Sequence, residues 1–131
     1  MGDSSVQTIA YQQHIDSLAS EHGVEVAYSS NASGRAWRRT RRVRTPEIKS
    51  AVTYALALHE FGHVVGYQRG LRIDLEAQAW RWAEANAIEW TEPMIRKAGR
   101  CIASYLKACE RRRNMSVPPA DHDAWKIAQW A

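Results

Sequence analysis

His59, Glu60, Phe61, Gly62 and His63 place two imidazoles four residues apart, with a carboxylate directly after the first. On a helix that spacing sets the histidines one turn apart on one face, where two neutral ring nitrogens can grip a zinc ion at about 2.0–2.1 Å. Glu60 is carried to the side of such an ion. There its carboxylate can take a proton from an attacking water and pass it to a leaving amine. Random placement of the chain's five histidines and nine glutamates gives H-E-x-x-H about once in a hundred chains, so chance explains it poorly. The plainer alternative, two core histidines and a solvated Glu60, leaves unexplained why small Gly62 sits between them, making room for a close neighbour.

A catalytic zinc takes three protein ligands and keeps a fourth position open. A metzincin would supply a third histidine ten residues after His59, but Arg69 stands there. A deformylase-like site would want an upstream cysteine, and Cys101 and Cys109 both lie downstream. A glutamate on the following helix is the remaining standard solution. Glu76 leads, with Asp74, Glu84 and Glu89 as competitors; Asp74 also suits a helix cap, and Glu84 lies two turns beyond Glu76 on a similar face.

The elements that must position these groups can be read from periodicity. Tyr11, Ile15, Leu18 and Ala19 recur at helical spacing from Ser4 to His22, and Gly23 suits a left-handed helix end. Val24, Val26 and Tyr28 alternate with polar or small residues as in a half-buried strand. After the turn residues Ser30 to Gly34, the segment Arg35 to Arg44 reads as a second strand, completing a hairpin. Thr45-Pro46-Glu47 has the chemistry of a helix start, and Ile48, Val52, Ala55, His59, Gly62, His63 and Gly66 form one stripe reaching about Tyr67. A third helix is expected from Ile73 or Asp74 to Trp90, with core packing for most of Trp80, Trp82 and Trp90. A fourth follows Pro93 to about Asn114, and a short terminal helix begins at Asp121. The expected fold is α+β: an N-terminal helix, a small antiparallel sheet, a zinc-binding helix pair and a helical C-terminal extension. One domain spans residues 1–131, its core at about 4–93 and the extension at about 94–131.

The segment Ala57-Leu58-His59-Glu60-Phe61-Gly62-His63-Val64-Val65-Gly66, followed by Glu76-Ala77-Gln78-Ala79-Trp80-Arg81-Trp82-Ala83, resembles the ImmA/IrrE group of metallopeptidases. That group joins a histidine-glutamate helix to a glutamate-alanine-asparagine-x-phenylalanine-alanine helix; here Gln78 stands for the asparagine, tryptophans supply the aromatic, and the connection is short. The resemblance covers about Val24 to Pro93. It implies Zn2+ held by His59, His63 and Glu76, Glu60 as the base, and an intracellular protein substrate such as a phage or mobile-element repressor bound to DNA.

The net charge of +4 is localised in Arg35, Arg38, Arg39, Arg41, Arg42 and Arg44, with a second group at Arg111 to Arg113. Such a strand resists edge-to-edge association, and beside a cleft it could pair with extended substrate while its arginines choose acidic side chains. The competing function is a basic nucleic-acid-binding module in which Arg38, Arg39, Arg41 and Arg42 meet phosphate and Trp37 or Tyr28 stacks on a base. That leaves the histidine pair unexplained, and a purely structural zinc leaves Glu60 without a purpose. Cys101 and Cys109, eight residues apart on one helix and so about 12 Å along its axis, are too distant for a disulfide. No apolar run approaches a membrane span, and the N-terminal Met1-Gly2-Asp3-Ser4-Ser5 lacks signal-peptide character, so a cytoplasmic location is expected. His14, His22 and His122 lack partners at metal spacing and read as surface or capping residues. Tyr28, Tyr54 and Tyr67 are the candidates for donating to an oxyanion.

Overall fold

Tyr11, Ile15 and Leu18 recur at helical spacing, and their burial seats the first helix, α1 (Asp3–His22), on the core. Gly23 ends it at φ 63°, a backbone region that costs glycine nothing. The computed structural model describes residues 3–31 and 33–131; Met1, Gly2 and Ala32, hence the start of the N-terminal segment and the centre of the Ser30–Gly34 turn, lie outside it. The remaining elements are β1 (Glu25–Ser29), β2 (Arg35–Trp37), β3 (Arg42–Pro46), α2 (Ala51–Val65), α3 (Arg72–Asn86), α4 (Glu92–Arg111) and α5 (Asp123–Ala128). The fold is α+β.

The expected antiparallel hairpin of β1 with one long arginine strand does not form. Arg35 to Arg44 is broken by a turn at Arg38–Arg41, and the sheet is mixed, in the order β1-β3-β2, with β3 parallel to β1 and antiparallel to β2. Burial explains the order. Val43 is the one buried residue of the arginine tract, and Thr45 and Pro46 just after it are buried too, so β3 becomes the central strand against α2, and the exposed arginines before it form the turn. Arg41 adopts φ 53°, left-handed for a non-glycine residue, and donates from its guanidinium to the His22 carbonyl at 2.7 and 3.1 Å, fastening that turn to the end of α1.

Thr45 and Pro46 likewise belong to β3 rather than to a helix start. The helix cap is Ser50: its Oγ accepts from the Thr53 N–H at 3.2 Å, while Thr53 Oγ1 accepts from the Ser50 N–H at 2.9 Å. This is a capping box with threonine in the usual glutamate position. Helix α3 stops at Asn86, four residues short of the expected Trp90. Ala87 turns extended, and the next N–H, that of Ile88, donates to the buried Tyr54 hydroxyl.

One hydrophobic cluster joins α1, β3, α2, α3, α4 and α5, with Tyr54, Leu58, Phe61, Trp80, Met94, Ile102 and Ile127 fully enclosed. Residues of α4 and α5 thus share the core that α2 and α3 build. Among the described residues no helix is long and apolar enough to cross a membrane.

Two carboxylates of unlike position fasten α5 to α3. Asp74 accepts from the Leu71 N–H at 2.7 Å and meets His122 Nε2 at 2.5 Å, while Arg81 donates to both oxygens of Asp123 at 2.7 and 2.8 Å. The hydrogen bond from His122 holds the Asp74 carboxyl below its usual range, and that from Arg81 does the same for Asp123. A depressed folded-state pKa adds stability above the unfolded value of about 3.9, lost as pH falls through the folded value. Replacing Asp123 by Asn is therefore expected to destabilise the protein at pH 6 by up to about 1 kcal/mol, the pair being partly exposed. The gap should close below about pH 4, as read by urea unfolding at the two pH values.

Candidate metal centre

His59 and His63 occupy successive turns of α2, their ring centroids 4.5 Å apart and nearly perpendicular. Helix α3 crosses α2 where Gly62 faces Ala79: a Cβ on Gly62 would stand 2.5 Å from the Ala79 carbonyl oxygen and 2.8 Å from its Cα. The close neighbour for which Gly62 leaves room is thus the α3 backbone. That approach brings Arg72, Glu76 and Trp80, an i, i+4 row on α3, against the histidine face of α2.

Glu76 spans the pair. Its Oε1 lies 3.1 Å from His59 Nε2 and its Oε2 lies 2.9 Å from His63 Nε2. Glu60 is also close, and His59, Glu60 and His63 offer ligand atoms within 4.8 Å of one another. However, the nearest approach of Glu60 is 3.9 Å, to the other nitrogen of His59, Nδ1. Glu76 thus meets the Nε2 side of the pair and Glu60 stands by His59 Nδ1, while the donors that lie mutually within 4.8 Å are those of His59, Glu60 and His63.

The donors suit a divalent ion. Two imidazoles and a carboxylate are a common catalytic zinc set, and both imidazoles have a carboxylate oxygen of Glu76 within 3.1 Å. Burial would raise the Glu76 carboxyl, but hydrogen bonds and charge from His59 and His63 outweigh it and hold Glu76 at about 2, ionised at neutral pH. Burial also pulls His63 down, yet its contact with Glu76 leaves it net raised. For Glu60 burial dominates and pushes the carboxyl up, towards what a proton acceptor working near neutrality needs.

Two supporting residues escaped sequence reasoning. Trp80, fully buried, stacks on the His59 ring at 4.3 Å and 19°, fixing its plane; its place four residues after Glu76 was the available signal. Gly34 touches Glu60: a Cβ there would stand 2.5 Å from Glu60 Oε2 and 3.3 Å from the Arg44 carbonyl oxygen. Gly34→Ala is expected to fold and keep its metal ligands, because the struck atom is the end of a movable side chain. Displacing that carboxylate should lower any turnover by at least about tenfold, measured as kcat beside metal content.

The competing carboxylates are used elsewhere. Asp74 holds the α3 start and His122, Glu84 pairs with Arg81 at 2.9 Å, and Glu89 accepts from Gln7 and from the Tyr11 hydroxyl. His122 caps α5 by accepting from the Ala124 N–H, His14 meets the Tyr54 hydroxyl at 2.5 Å, and His22 packs edge-on to Trp82. Of the three tyrosines, Tyr54 is enclosed, its hydroxyl pushed up to about 12 by burial, and exposed Tyr28 bonds to Gln12. Only Tyr67 lines the cleft at the histidines. Cys101 and Cys109 are free thiols.

That cleft, about 540 Å³, is bounded by Gly34, Arg35, Ala36 and Arg38 on one side and by Arg72, Leu75 and Glu76 on the other. A cavity of similar size opens beside Gln68, Arg69 and Trp82, but it is lined by the α5 attachment and holds neither histidine of the pair. Of the arginines named for phosphate, Arg41 holds the His22 carbonyl and Arg42 pairs with Glu25 at 3.6 Å, whereas Arg38 lies over the Tyr67 ring with no ion pair among the described residues. Trp37 is surrounded by Arg35, Arg42 and Arg44 at 5.1 to 5.9 Å. No protein-family model, curated protein or solved structure matches the chain.

Proposed function

We propose that the chain is a zinc-dependent metallopeptidase that hydrolyses a peptide bond in an intracellular protein. The observation that carries this is the single Glu76 carboxylate set 3.1 and 2.9 Å from the Nε2 atoms of His59 and His63, with Glu60 beside it in an open cleft. His59, His63 and Glu76 would hold the ion. When bound, zinc supplies polarisation of the scissile carbonyl and acidifies water towards a pKa of about 7.

The chain's own groups do the rest. Glu60 accepts a proton at its carboxylate from the attacking water and returns it to the leaving amine. Trp80 and Gly34 keep His59 and Glu60 in place, and Tyr67 is the phenol available to a developing oxyanion. Strand β2, at the sheet edge beside the cleft, offers backbone groups to an extended substrate. The resemblance of Ala57–Gly66 and Glu76–Ala83 to the ImmA/IrrE group supports the same assignment and suggests a DNA-binding repressor as substrate.

Purified protein in chelator-treated buffer is expected to carry one zinc per chain by elemental mass spectrometry. His63→Ala and Glu76→Ala should each lose most of it, since removing one of three ligands leaves two. If no sample holds zinc or takes it up on addition, the peptidase reading fails and the basic nucleic-acid module takes first place.

A further inference from the structure

Arg35, Arg38 and Arg72 are exposed, and all three line the cleft that holds His59, His63 and Glu60. Among the described residues none of the three forms an ion pair, although Arg42, Arg81 and Arg96 elsewhere do so with Glu25, Asp123 and Glu92. Each is instead set against an aromatic ring. Arg35 lies 5.1 Å from the Trp37 centroid, Arg38 3.8 Å from that of Tyr67, and Arg72 donates to the Tyr105 hydroxyl at 2.6 Å. An aromatic neighbour orients a guanidinium without neutralising it. The cleft is thus rimmed by three oriented positive charges, two on the sheet side and one at the start of α3.

From this we infer that the cleft selects acidic peptide segments, with Arg35, Arg38 and Arg72 as the residues that determine the preference. The inference rests on the peptidase reading for the cleavage but not for the binding. The three guanidiniums stand at the rim on both sides, so acidic side chains of an extended segment meet them there while its backbone crosses the floor. A peptide can also pair its backbone with the free side of β2, which a nucleic acid cannot do. Peptide is therefore the better occupant.

The test uses the full-length Glu60→Gln protein, loaded with zinc, and three fluorescein-labelled octapeptides of one framework carrying four Glu, four Gln or four Lys. Anisotropy titrations are run in low and moderate salt, with a labelled octathymidylate as a fourth probe. The Glu peptide is expected to bind at least about tenfold more tightly than the Gln peptide, with the difference shrinking as salt rises. Arg35→Gln, Arg38→Gln and Arg72→Gln combined should bring that ratio to within about twofold, circular dichroism showing that the triple variant is folded. Equal binding of Glu and Gln peptides overturns the inference, as does tighter binding of the oligonucleotide than of the Glu peptide. Quenched versions of the peptides, given to the wild-type enzyme, separate the two readings. If none is cleaved while the anisotropy preference stands, the acidic selection is upheld and only the peptidase reading falls.

Discussion

Glu60→Gln is expected to retain zinc at the wild-type level and to lose peptide hydrolysis by about 10²–10⁴-fold, the usual contribution of a positioned general base. The substitution conserves shape, so the contact with Gly34 survives. What disappears is a proton acceptor that burial has already pushed up from the ordinary carboxylate range. Parallel assays of metal content and turnover separate this loss from that of His63→Ala or Glu76→Ala, in which both quantities fall together. Turnover of a genuine substrate at the wild-type rate by Glu60→Gln would remove the proposed mechanism.

The second large effect is expected at Gly62. On an isolated helix, Gly→Ala gains about 1 kcal/mol of propensity. Here the added methyl would meet the Ala79 backbone, which lies too close for any Cβ and has no side-chain torsion through which to yield. Overpacking of this kind costs about 1–3 kcal/mol or more, so the sign reverses and the melting temperature should fall by several degrees. Relief requires α2 and α3 to separate, which also carries Glu76 away from His59 and His63. Gly62→Ala is thus expected to weaken zinc affinity along with stability, by calorimetric melting and competition with a chromophoric chelator. A variant both more stable and equally tight for zinc would show that the helices do not pack as described.

Residues whose roles depend on local spacing were legible in the sequence. The i, i+4 histidines and the helix end at Gly23 follow from period and turn chemistry, whereas spacing leaves Glu76 in competition with Asp74, Glu84 and Glu89 and only the fold sets it beside the two imidazoles. Features set by tertiary burial were not. Nothing local distinguishes one arginine strand from two, because the break depends on Arg41 adopting a left-handed backbone and on Val43 and Thr45 being drawn under α2. Thr45-Pro46-Glu47 carries a stronger helix-start signal than Ser50-x-x-Thr53, yet the buried sheet claimed it. Likewise the pairing of Gly34 with Glu60 joins residues 26 positions apart through a close approach that leaves no periodic trace.

The attachment of α5 has a consequence for the metal centre some distance away. Asp74 lies two residues before Glu76 on the first turns of α3, and its carboxylate joins the backbone at Leu71 to His122 ahead of α5. Fraying of that turn would loosen Glu76, so α5 acts as a splint on the ligand-bearing end of α3. Coupling of this kind is reciprocal. An ion that immobilises Glu76 would in turn oppose the release of α5, making the C-terminal helix slower to exchange its amide hydrogens whenever the site is filled.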